Sequence, residues 1–67
     1  MASSRTLDRL TEFLLSCEGV YKASWYDDGD SYVFVIESNS NDIYRLYSLI
    51  NDMIETAIDE NYRLILK

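Results

Sequence analysis

The stretch VYKASWYDDGDSYVFVIE, residues 20–37, decides how the chain is read, because two runs rich in β-branched and aromatic residues flank Asp28-Gly29. Asp-Gly favours a two-residue hairpin turn of type I′, whose central residues both take positive φ. With Asp27 opposite Asp30, the expected partners are Tyr26 with Ser31, Trp25 with Tyr32, Ala23 with Phe34 and Tyr21 with Ile36. One face then collects Tyr21, Ala23, Trp25, Tyr32, Phe34 and Ile36, and a slip by one residue would turn them all away. Turn chemistry and alternation point to the same hairpin.

Upstream, in residues 3–19, Leu7, Leu10, Leu14 and Cys17 recur at helical spacing and Phe13 widens the stripe. Ser3 or Ser4 can cap this first helix, and Gly19 stands where a helix can end in a left-handed residue. Downstream of the polar loop at 37–41, a second helix is predicted from about Asn41 to Asp59, capped by Ser40 or Asn41. Its apolar stripe is Ile43, Leu46, Tyr47, Ile50, Met53, Ile54, Ala57 and Ile58, with Arg45, Asp52, Glu55 and Asp59 toward water. The closing NYRLILK, residues 61–67, alternates Tyr62, Leu64 and Leu66 with Arg63, Ile65 and Lys67, as a third strand does.

The order is therefore α-β-β-α-β, an α+β two-layer sandwich with a three-stranded, mainly antiparallel sheet and both helices on one face. A strand-helix-strand crossover is right-handed and joins parallel strands, so the second and third strands should run the same way. The first strand is expected between them, antiparallel to both; a sheet with the second strand in the middle is also allowed.

At 67 residues the chain forms one small domain, 1–67, and hides a smaller share of its surface than a larger one. Domains of this size draw on disulfides, metals or association. The lone Cys17 has no internal partner, and without histidine the usual zinc patterns are missing, so association is the remaining source. Hydrophobic residues at 48% against 27% charged mark a chain that folds. No apolar run approaches the ~20 residues of a membrane span and the start lacks a secretion-signal layout, so a cytoplasmic protein without membrane contact is expected. Twelve acids against six bases give a net charge of −6, which repels phosphate backbones and argues against direct nucleic-acid binding.

Catalysis finds no residue set. Ser-His and Cys-His pairs need histidine, and two glycines cannot build a phosphate loop. Cys17 falls on the apolar stripe of the first helix, the place of a structural thiol. DDGDSY, residues 27–32, lacks the alternating ligands and distal Glu of a calcium loop. Asp28 and Asp30 are spaced like the magnesium carboxylates of nucleotidyltransferases, but the Gly-Ser pair that precedes those is missing, and a tight turn aims both acids at water. The chain is expected to be no enzyme and to need no cofactor or metal.

Two surfaces remain. The crossover brings the end of the second helix back to the hairpin tip, so Asp27, Asp28, Asp30, Glu55, Asp59 and Glu60 should share one pole. Acids at a helix C-terminus oppose the macrodipole, so local stability does not account for them. They are either a solubilising cap or a contact for a basic, nucleic-acid-binding partner protein, and in size and charge alone the chain resembles small acidic inhibitors of phage and plasmid origin. The face of the sheet without helices carries Val20, Lys22, Ser24, Tyr26, Val33, Val35, Arg63, Ile65 and Lys67. Tyr26, Val33, Val35 and Ile65 form an apolar patch there, suited to a homodimer or to docking as a structural or adaptor subunit. An uncovered second or third strand could also extend a sheet across two subunits.

Overall fold

A computed structural model describes residues 2–67. The elements are α1 (Ser4–Leu15), β1 (Val20–Asp27), β2 (Tyr32–Ser38), α2 (Ile43–Ala57) and β3 (Tyr62–Leu66), the expected α+β order. Ser3 caps α1 by accepting from the Thr6 amide at 3.2 Å. α2 begins two residues later than expected, because Asp42, rather than Ser40 or Asn41, is its cap, accepting from the Arg45 amide at 3.1 Å.

The sheet runs β1-β2-β3. β1 pairs antiparallel with β2, and β2 pairs parallel with β3. The parallel direction follows the crossover rule, but β2 rather than β1 is in the middle. Its composition explains the choice: Val33, Phe34 and Ile36 are all buried, on both faces, whereas β1 carries Lys22, Ser24 and Tyr26 exposed. The strand able to lose water from both faces takes the central place.

The hairpin differs from expectation in its turn. Asp28 does not adopt positive φ; among the described residues only Gly19 (φ 90) and Gly29 (φ 100) do. The loop spans residues 28–31 and is closed by the Asp28 amide donating to the Ser31 carbonyl at 3.1 Å. Trp25 therefore lies opposite Phe34 and Asp27 opposite Tyr32, a displacement of two residues that preserves the faces. A bulge follows at the far end, where the register jumps between Val20 and Lys22. It turns Tyr21 out (61% exposed) and buries Val20, reversing the faces expected for both.

The core is built from Leu7, Leu10 and Leu14 of α1, Val20, Phe34 and Ile36 of the sheet, and Leu46, Ile50, Ile54 and Ile58 at and beyond α2. Phe34 packs edge-on against Tyr62, with ring centroids 6.2 Å apart. The stripes are narrower than the sequence implied: Phe13, Ile43, Tyr47 and Ala57 are exposed. Each of the two short helices over three strands buries fewer than one residue per turn. Gly19 is fixed by more than its φ, since its carbonyl accepts from the Asn39 amide at 2.8 Å and a Cβ there would come within 3.1 Å of the Ser40 Cβ.

Candidate functional site: the acidic pole

Two of the three hairpin acids have local work. The Asp27 carboxylate accepts from the Gly29 amide at 2.8 Å, and Asp28 accepts from the amides of Ser31 at 2.8 Å and Asp30 at 3.1 Å. Those donors, the Ser31 amide first, hold the Asp28 carboxyl below its ordinary range. Asp28 also reaches Arg63 across the sheet at 3.9 Å. Short polar side chains next to a glycine fold a loop in this way. So Asp27 and Asp28 are explained in part by the turn, and Asp30 is not.

The end of α2 meets this loop as expected. Asp27, Asp30, Asp59 and Glu60 line one open depression together with Gly29, Ser31, Tyr32 and Asn61. Glu55 lines a neighbouring depression with Tyr47, Asn51, Glu60 and Tyr62. Asp28 contributes to neither and turns toward Arg63. In the second depression the Tyr62 hydroxyl bonds the Asn51 side chain. Burial, and after it the Glu55 charge, push the Tyr62 phenol up.

Among the described residues, no group of three or more His, Cys, Asp or Glu side chains is placed to hold a metal ion. The Cys17 thiol lies 3.6 Å from the Met53 sulfur, and burial pushes its pKa up, which leaves it less of the thiolate that reacts. No helix among the described residues is long and apolar enough to cross a membrane.

The face of the sheet without helices departs from its expected form. Val33 is 1% exposed, so it offers no contact surface; its register neighbours are Tyr26 on one side and Arg63 on the other. Val20 has left this face for the core. Tyr26 is 51% exposed, while Val35 and Ile65 are half-buried. Lys22 pairs with Glu37 at 3.6 Å on the same face. The apolar patch is thus a single tyrosine beside two half-covered aliphatic side chains.

Sequence reasoning missed the exposed residues of the helical layer. Tyr44 is 86% exposed, and Tyr47 45%. Residues Leu10, Phe13, Leu49, Met53 and Ala57 line a shallow groove between α1 and α2. Helical spacing flags Phe13, Tyr47, Met53 and Ala57 as core and passes over Tyr44 and Leu49, and only the width of the sheet beneath decides which remain outside. Comparison with protein-family models and with curated proteins finds no match for this chain.

Proposed function

We propose that this protein is a non-enzymatic binding module whose acidic pole contacts a basic, nucleic-acid-binding partner protein, in the manner of a small inhibitor or regulator. The observation that supports this reading is the shared depression of Asp27, Asp30, Asp59 and Glu60. Four carboxylates from the hairpin tip and from the connection between α2 and β3 converge on one patch, whose negative potential suits a cationic surface. Such a patch competes with phosphate for the same basic groups, so the module would displace nucleic acid rather than bind it. On this reading the protein acts in the cytoplasm.

The reading is tested by recovering partners from lysate with the native protein and with a form carrying Asn or Gln at Asp27, Asp28, Asp30, Glu55, Asp59 and Glu60. Loss of one abundant basic partner from the neutralised form is expected. That partner should also elute as salt is raised from about 0.1 M to 1 M, as screening shortens from roughly 10 Å to 3 Å. An unchanged partner list would overturn the proposal.

A further inference from the structure

β3 is an edge strand with β2 on one side only. The Lys67 amide donates to Ile36, the Lys67 carbonyl accepts from Ser38, and the Asn61 carbonyl accepts from Tyr32. Residues 61, 63, 65 and 67 therefore point their backbone groups at β2. By the alternation of a strand, Tyr62, Leu64 and Leu66 turn theirs to the open edge. These three side chains are only half-buried, and Tyr62 and Leu64 border a depression lined by the exposed Tyr47 of α2. Polar backbone and apolar side chains are left open together.

We propose that β3 pairs antiparallel with β3 of a second copy of this chain, with Leu64 on the two-fold axis, to give one six-stranded sheet. Centred there, Leu64 faces Leu64, and Tyr62 faces Leu66 in both directions. The residues whose hydrogen-bonding groups point outward are those that such a register joins in hydrogen-bonded pairs. The strand is self-complementary, which a C2 interface requires.

Charge selects the direction of pairing between two copies. The acidic pole adjoins the start of β3, where Asp59 and Glu60 precede Tyr62, and Lys67 follows its end. Antiparallel pairing sets Lys67 of each copy across from Asn61 of the other, next to Glu60 and Asp59, and leaves the two acidic poles at opposite ends. Parallel pairing would bring both poles together in a chain of net charge −6. A dimer through the helix-free face of the sheet would leave the β3 edge as open as before.

Two sets of variants test the register. In a Cys17→Ser background, Leu64→Cys sets two thiols face to face at a Cα separation of about 5.5 Å, within disulfide reach, whereas Leu66→Cys does not. Leu64→Cys is expected to give a covalent dimer under mild oxidation at least about tenfold faster than Leu66→Cys. Arg63 and Ile65 face each other across the axis, so Ile65→Glu should tighten the dimer and Ile65→Lys should loosen it, each on the order of 2- to 30-fold in Kd for two equivalent pairs. Sedimentation equilibrium reads both, with circular dichroism confirming the fold. A monomer at every concentration up to about 1 mM, equal cross-linking of the two cysteine variants, or Kd shifts of the same sign for Glu and Lys would overturn the proposal.

Discussion

The two outer edges of the sheet are finished differently. Along β1 the bulge at Tyr21 breaks the ladder, Lys22 and Asp27 bring charge, and the Trp25 indole donates to Asp8 of α1 at 2.8 Å. The backbone of α1 runs close beside β1 as well, and no helix backbone lies as close to β3. β3 is regular over its five residues, and its outward positions are Tyr62, Leu64 and Leu66. Bulges, charges and a covering helix are the means by which sheets avoid pairing with other chains. One edge has all three, and the other has only the charge of Arg63, a residue whose backbone groups face β2. In the proposed dimer the closed edge belongs to the monomer's own stability, and the open one to association.

Phe34→Ala would remove both edges at once, since β2 is the strand they share and Phe34 is fully buried at its centre. A loss of about 3–5 kcal/mol is expected, comparable with the whole stability of a domain this small, so thermal and urea unfolding should find little folded protein. Damage confined to the closed edge should be smaller. Gly19→Ala strains the approach to β1 through φ 90 and the close Ser40 Cβ, whereas a Cβ at Gly29 (φ 100) meets nothing within 4 Å. About 1–3 kcal/mol is expected for Gly19→Ala, with Gly29→Ala at the lower end, both read from urea midpoints.

Next in size is Asp8→Ala, which takes the acceptor from the Trp25 indole and leaves β3 untouched. It should cost on the order of 1 kcal/mol by thermal melting and leave the sedimentation behaviour unchanged. A change in association instead would blur the distinction between the edges.

The loop between β1 and β2 adds a pH dependence. The folded protein holds the Asp28 carboxyl below its unfolded value, so its contribution is fully present above the unfolded pKa of about 3.9. That contribution is lost as pH falls through the lower, folded pKa. Asp28→Asn keeps an acceptor without the charge, so its melting temperature should fall less between pH 5 and pH 2, taken as approximate limits, than the native protein's. The smallest effect belongs to Lys22→Ala. Its ion pair with Glu37 is exposed on the lysine side, and no more than about 0.5 kcal/mol should be lost.

Much of this was legible before any coordinates. The element order and the four-residue spacing of Leu46, Ile50, Ile54 and Ile58 follow from periodicity, and the common pole of hairpin tip and α2 follows from the crossover, whichever strand is central. Strand order did not, because the crossover rule fixes direction and leaves open how many strands are skipped. The unbroken VFVI of residues 33–36 carried the missing signal: a strand apolar on both faces belongs in the middle. The four-residue loop was hidden behind an Asp-Gly pair that serves a longer turn when neighbouring acids cap its amides. The bulge at Tyr21 left no mark in the alternation, and with it went the faces of Tyr21 and Val20. The burial of Val33 depends on flanking side chains from two strands, which no single-strand pattern contains.

The most direct test of the contrast between the edges is amide hydrogen exchange followed by NMR as the protein is concentrated. The amides of Tyr62, Leu64 and Leu66 should exchange fast in dilute solution and slow together as concentration rises, with the outward amides of β1 unchanged throughout. Exchange at β3 that does not depend on concentration, or slowing at β1 in its place, would contradict the account.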